Sequence, residues 1–335
     1  MLKRFIGLVI ASVAVFFFAS GYWVLRPLPL ISDSVDLSIE PQTTVRGIAK
    51  AAVAAGIDVD ANLLFVFFKL SGQSRALRAG SYEVTQGESA LDLLRKLNRG
   101  QESLKAISLI DGWTFRQFRA ALAKAEGLKH DTQDLSDDQL MAQLGMPGVA
   151  PEGRFFPDTY TYGKGTSELH VMARAAKAMT KQLAAAWGQR QSDIQIKTID
   201  EALILASIVE KETGRESDRT TISRVFHNRL AVGMPLQTDP TVIYGMFDNF
   251  DGNLRRADLR TDHPWNTYTR KGLPPTPIAM PGRNALKAAV QPAPSNALYF
   301  VAKGDGTSYF SATLDEHNAA VNRYQRKASS AGTGQ

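Results

Sequence analysis

The chain has 335 residues, of which 44% are hydrophobic and 21% charged; this is the composition of a folded globular protein and excludes a disordered one. The formal net charge is +6 without any basic run interleaved with aromatics, which excludes a nucleic-acid binder. There is no cysteine, which excludes disulfides, thiolate metal sites and a cysteine nucleophile and suits an oxidising compartment.

The first element is the uncharged run from Phe5 to Leu25. At about 1.5 Å per residue it is long enough to cross a hydrocarbon core. Lys3 and Arg4 precede it, so the start is expected in the cytoplasm and the remainder outside. Tyr22 and Trp23 sit at the far end, where aromatic rings favour the interface. A cleaved signal peptide is the competing reading, with Ala19-Ser20-Gly21 as its small residues, but the run exceeds the usual h-region of about 7–15 residues. Pro27 and Pro29 end the helix. Residues 1–30 therefore read as a cytoplasmic start and a single transmembrane anchor.

Residues 31–130 read as a small α+β module. Val35 to Ile39 alternates like a strand, and Thr43 or Thr44 caps a helix carrying Val45, Ile48, Ala49, Ala52 and Val53. Asn62 to Leu70 is a very apolar second helix, and Gly80 to Val84 returns as a strand. Ser89 to Leu97 is amphipathic, Ala106 to Ile110 is a strand, and Gly112-Trp113-Thr114 opens a helix with Phe115, Phe118, Ala121 and Leu122. In layout the module resembles a LysM-like, peptidoglycan-reading domain; the alternative is a packing domain without a ligand.

Residues 131–326 read as a larger, mainly helical domain with short strands. The polar stretch from Asp131 to Gly148, helix-poor at its start, links the halves. Glu152 to Tyr160 reads as a packed aromatic loop in which Phe155 and Phe156 belong to the core. Met172, Ala175, Ala176, Met179, Leu183, Ala186 and Trp187 recur at helical spacing. Residues 327–335 lack any large apolar side chain and read as a solvated tail.

The chemistry-bearing element begins at Thr198, where Thr198 and Glu201 form a capping box. The helix then runs through an apolar interior to Glu210-Lys211-Glu212-Thr213, and Gly214 stops it. At about 100° per residue, Glu212 continues the stripe of Leu205, Ile208 and Val209, whereas Glu210 follows the smaller stripe of Leu203, Ala206 and Ser207. Glu212 is thus expected to face inward or into a cleft. Apolar walls and the negative helix C-terminus both disfavour its anion, as a general acid requires. The alternative is a buried glutamate tied to Arg215 or Arg219. Asp239, before Pro240, is either a turn residue or a second carboxylate. Trp265-Asn266-Thr267-Tyr268 and the Pro-rich Gly272 to Ile278 suit hydrogen bonding to a neutral polymer, or simply a structural loop. The five histidines show no H-E-x-x-H spacing, and no phosphate-binding loop or nucleophile elbow occurs.

Several strings in order resemble the MltG (YceG-like) family of endolytic murein transglycosylases: Ala206-Ser207-Ile208-Val209-Glu210-Lys211-Glu212-Thr213, Leu236 to Gly245, Asn266-Thr267-Tyr268 and Gly272-Leu273-Pro274-Pro275. Glu152-Gly153, Phe156 to Tyr160 and Leu298 to Ala302 fit as well. Trp265, Thr276 and Met280 depart from the family pattern, and all three lie away from Glu212 in sequence. The resemblance implies cleavage of the β-1,4 bond between N-acetylmuramic acid and N-acetylglucosamine with formation of a 1,6-anhydro end. Glu212 is the implied catalytic acid and base, and Gln237, Thr238, Asp239, Tyr244, Asn266, Thr267 and Tyr268 are the expected substrate-binding residues. It implies no metal and no organic cofactor. The expected partners are peptidoglycan glycan strands, the inner membrane through one helix, and peptidoglycan synthases, with the catalytic part in the periplasm. The competing functions are a non-catalytic, membrane-anchored peptidoglycan-binding scaffold and a two-carboxylate hydrolase using Glu212 and Asp239.

Overall fold

The computed structural model describes residues 18–212 and 215–326, preceded by residues 6, 12 and 15. Part of the expected transmembrane run, the Thr213-Gly214 helix stop and the tail at 327–335 lie outside the described residues. Among the described residues no helix is long and apolar enough to cross a membrane. The fold is mixed, mostly helical, with small two-stranded sheets.

The chain divides into two compact units. The first takes the chain up to Ala106 together with Glu126–Lys129 and Thr161–Ser167. It begins with β1 (Ser34–Ile39), α1 (Val45–Ala54), α2 (Ala61–Leu70), β2 (Gly80–Thr85) and α3 (Ala90–Arg99). Alternation in β1 buries Val35, Leu37 and Ile39. Its antiparallel pairing sets Val35 against Val84 and Leu37 against Tyr82. The Thr44 hydroxyl caps α1 by accepting from the Gly47 amide at 3.1 Å. Ser89 and Asp92 form a capping box for α3, and Gly100 closes it in the left-handed conformation, where a side chain is strained. Phe68, Leu93, Leu94 and Leu97 complete an apolar core at no more than 1% exposure.

The second unit takes Ile107–Ala125, His130–Tyr160 and the chain from Glu168 on. β3 (Leu104–Ser108) lies slightly earlier than its apolar pattern suggests and pairs with β4 (Thr159–Gly163). α4 (Phe115–Ala123), grouped by sequence pattern with the first module, belongs to the second unit because Phe115 and Phe118 pack on Phe155, with ring centroids 5.4 and 5.1 Å apart. The polar link contains a helix of its own, α5 (Asp137–Gln143), opened by a Ser136–Gln139 capping box and secured by buried Leu140 and Met141. α6 (Glu168–Gly188) and α7 (Ile199–Glu212) are followed by α8 (Glu216–Ala231), α9 (Asp239–Met246) and α10 (Arg283–Val290). The unit ends with the β5 (Tyr299–Ala302) and β6 (Ser308–Ser311) hairpin and α11 (Leu314–Val321). α7 is central: it packs against α6, α8 and α10.

Candidate active site

The site is built on the buried end of α7. The Thr198 hydroxyl accepts from the Glu201 amide at 3.1 Å, and the Glu201 carboxylate accepts from the Thr198 amide at 3.2 Å, which completes the capping box. Leu203, Leu205, Ala206, Ser207, Ile208 and Val209 are all fully buried. Each large apolar side chain among them contributes roughly 1.5–3 kcal/mol, so the helix is a rigid base for its last turn. The smaller stripe is core as well as the larger one. Ser207 fits there because its hydroxyl donates to the Ile204 carbonyl at 2.7 Å and accepts from the Ile278 amide at 3.0 Å.

The two glutamates have different surroundings. Glu210 is the tied one: it pairs with Arg219 at 3.5 Å and accepts from the Gly282 amide at 2.9 Å, and its side chain is only 8% exposed. Burial raises its pKa, against the pull of these two partners. Glu212 makes no salt bridge among the described residues; its partner is the Thr238 hydroxyl, which donates to Oε1. Part of Glu212 still reaches solvent, yet its carboxyl is surrounded closely enough for burial to dominate, and its pKa is pushed up to about 7. The nearby Asp239 carboxylate adds to the rise, and the Thr238 hydrogen bond and Arg229 oppose it. Arg229, on α8, is 7% exposed and donates to the Leu298 carbonyl at 2.7 Å and the Leu236 carbonyl at 2.6 Å. It therefore braces the segment that delivers Thr238.

That segment is tightly specified. Gln237 is exposed and held at φ 48°, with its amide donating to the Thr267 carbonyl at 3.0 Å. Thr238 is buried; its amide donates to the Thr267 hydroxyl at 3.1 Å, and Thr241 and Thr267 share a hydroxyl contact at 2.9 Å. Asp239 is the first residue of α9 rather than a free turn residue, because Pro240 fits the first turn of a helix, where its missing N–H has no cost. The exposed Asp239 carboxylate accepts from the Tyr268 hydroxyl at 2.5 Å. Asn266 is fully buried and saturated. Its amide donates to the Thr261 and Leu259 carbonyls at 2.7 and 3.2 Å, and its carbonyl accepts from the Tyr268 amide at 2.8 Å. The structure thus gathers Glu212, Thr238, Asp239, Thr267 and Tyr268 around one helix start, and gives Asn266 and Thr267 internal partners.

Tyr244 lies at the other end of α9, on a cavity of about 700 Å³ whose lining does not include Glu212. Tyr244, Phe247 and Trp265 form a cluster there, with centroids 5.5–5.6 Å apart. Glu152, which its sequence pattern does not mark as a site residue, is 6% exposed and lines the same cavity. Its two oxygens accept from the Phe115 amide at 3.0 and 3.1 Å. Burial pushes its pKa up to about 7, against the hydrogen bonds from Phe115 and Tyr244. The next residue must be glycine, since Gly153 has φ 78° and an added Cβ would come within 2.6 Å of Pro277 Cβ. Phe247 stands at φ 49°, so α9 has a non-glycine residue in a costly conformation just beyond each end. Such strain costs on the order of 1–3 kcal/mol and concentrates at functional sites.

The chain matches the YceG-like family over residues 37–323. It is 30% identical to the endolytic murein transglycosylase of Bacillus subtilis (strain 168), over 92% of this chain and 89% of that protein. It is 26% identical to the endolytic murein transglycosylase of Streptococcus pneumoniae serotype 2 (strain D39 / NCTC 7466), over 91% of this chain and 61% of that longer protein. A crystal structure of a YceG-like protein from Listeria monocytogenes superposes with a TM-score of 0.54 at 28% identity, covering 85% of this chain and 98% of that one. The matched span contains both the end of α7 and the loops around it, and the chain belongs to the YceG-like family.

Proposed function

We propose that the chain is an endolytic murein transglycosylase in which one carboxyl, Glu212, serves in turn as acid and base. The observation that carries this reading is a largely buried glutamic acid with a pKa near 7, unpaired by any described cation and held by a single hydroxyl. It holds its proton up to about neutral pH, where an ordinary glutamate has already lost it, and has a lone pair free for exchange. The substrate is the β-1,4 bond between N-acetylmuramic acid and N-acetylglucosamine in glycan strands. Glu212 gives its proton to the glycosidic oxygen as the bond from the muramic C1 breaks. The C6 hydroxyl of the same muramic residue then bonds to C1, and its proton returns to the Glu212 carboxylate. Acid and catalyst are regenerated, a 1,6-anhydro end is left, and water takes no part. A second carboxylate is therefore unnecessary, in contrast to a hydrolase. Thr238 orients Glu212, and Asp239, Tyr268 and Gln237 border the strand.

The apolar run from Phe5 to Leu25 serves as a single-pass anchor in the inner membrane, which leaves both units in the periplasm beside newly made strands and the synthases that make them. The β1–α1–α2–β2 order of the first unit, with its strands antiparallel, supports a LysM-like, wall-reading role. Mass spectrometry of sacculi digested by the full chain tests the assignment: anhydro ends are expected, and Glu212→Gln is expected to abolish them. Reducing ends would point to hydrolysis, and intact strands to a scaffold.

A further inference from the structure

The cavity beside Glu152 has no part in the chemistry above, yet it has the features of a binding site. Its volume of about 700 Å³ is within the range of small-molecule sites. Its wall combines the aromatic cluster of Tyr244, Phe247 and Trp265 with convergent polar groups, namely the Glu152 carboxyl and the Thr276 hydroxyl, which receives the Trp265 indole N–H at 2.9 Å. Aromatic walls with a few fixed hydrogen-bonding groups suit the apolar faces and polar rims of sugar rings. The charges on the wall are already spent. Arg116 pairs with Asp248, and Arg119 donates to the Thr132 carbonyl at 2.7 Å and the Leu135 carbonyl at 3.2 Å and pairs with Asp137 at 3.4 Å. Both wall arginines are thus already paired with a carboxylate, and a neutral ring needs neither of them. Phe247 is 52% exposed and held in a strained backbone conformation that presents it at the cavity.

We propose that this cavity is a second sugar subsite, which holds an N-acetylated hexosamine ring of the strand whose linkage is presented to Glu212, with the Tyr244 hydroxyl, fixed by its hydrogen bond to buried Glu152, bonding its polar edge and Phe247 packing on its face. The inference rests on the transglycosylase reading for the identity of the strand. It is tested with the full chain carrying Glu212→Gln, titrated calorimetrically with the N-acetylglucosamine tetramer. Phe247→Ala is expected to weaken tetramer binding roughly tenfold, the scale of one lost aromatic contact. Tyr244→Phe, which removes only the hydroxyl, is expected to weaken it severalfold. Both variants are expected to keep the parental melting temperature to within a few degrees. Tetramer affinity unchanged in both variants, or no affinity in the parent, would overturn the subsite. The activity is read separately from anhydro ends made by the unmodified chain. If the unmodified chain makes anhydro ends while Phe247→Ala binds the tetramer normally, the subsite alone is overturned; if Phe247→Ala loses tetramer binding while the unmodified chain makes no anhydro ends, the activity alone is overturned.

Discussion

Glu212→Gln separates catalysis from stability in a way the structure makes quantitative. In the folded chain Glu212 loses its proton near pH 7, against an ordinary value of 4.5. The folded-state pKa is raised, so the stability linked to this proton is fully present below pH 4.5 and is lost as the pH rises through 7. At 1.36 kcal/mol for each tenfold change in acidity, that loss amounts to about 3 kcal/mol by pH 8. The Glu152 pKa is likewise pushed up from 4.5 to about 7, and it contributes a loss of similar size over the same window. Glutamine keeps the shape and the hydrogen bond to Thr238 but cannot ionise. The variant is therefore expected to be inactive at every pH, and to be more stable than the parent at pH 8 by up to about 3 kcal/mol while matching it near pH 5.

Urea unfolding at pH 5, 6, 7 and 8 measures this directly. Three of the four tryptophans, Trp113, Trp187 and Trp265, lie in the second unit, so their fluorescence follows the unit that contains both glutamates. The parent is expected to lose stability from pH 5 to about pH 7 and to level off by pH 8, and the variant about half as much, because Glu152 still titrates. Parallel curves for parent and variant would mean that Glu212 titrates in the ordinary carboxylate range. The acid role would then have lost its physical basis, whatever the activity of the variant.

Other substitutions probe the supports. Thr238→Val removes the hydroxyl that favours the Glu212 anion, so the alkaline limb of the pH–rate profile is expected to move up by as much as about one pH unit; an unmoved limb would deny the Thr238 contact any part in setting the acid. Arg219→Met leaves Glu210 buried without its cation and is expected to cost about 3 kcal/mol by thermal or urea unfolding, with most of that regained in Arg219→Met/Glu210→Gln and the activity limb unmoved in the double variant. Asn266→Ala strips partners from several loop carbonyls and is expected to cost about 2 kcal/mol or more. Normal stability with weakened tetramer binding in that variant would instead make Asn266 a direct substrate contact.

What could be read from the sequence follows from how local each signal is. The capping box at Thr198 and the apolar stripe ending at Glu212 are properties of adjacent turns, so periodicity alone finds the helix and its last glutamate. The same wheel underrates Glu210, because it takes the small stripe of Leu203, Ala206 and Ser207 for a more polar face, whereas α10 covers that helix as well. α8 gives almost no periodic signal, since it buries Asp218, Ser223, Arg224, His227 and Arg229 beside its apolar residues. His227 is satisfied there: it accepts from the Gln195 amide at 3.0 Å and bonds the Ala289 carbonyl at 2.8 Å. Glu152 depends on the Phe115 amide and Tyr244, partners distant in sequence, and only its place before a glycine in a dense aromatic stretch hinted at special surroundings. The left-handed backbone at Gln237 and Phe247 leaves no trace in residue type, since neither is glycine or asparagine.

Those two residues explain why α9 matters more than its eight residues suggest. A strained conformation persists only where its neighbours specify it from several directions. At Gln237 those neighbours are the Thr267 carbonyl and, through Leu236, the buried Arg229 guanidinium. Phe247 is held by the aromatic contacts to Tyr244 and Trp265. Trp265, Asn266 and Thr267 are consecutive, so one short loop secures both ends of the helix, and Asn266 between them is the buried clamp that fixes the loop. The helix is thus a strut with a stiff mount at each end, Thr238 and the acid at one, the sugar-sized cavity at the other. A strand gripped at Phe247 has its linkage positioned relative to Thr238, the hydrogen-bond partner of Glu212, by a single rigid element, which converts binding energy at the cavity into alignment at the bond to be cut.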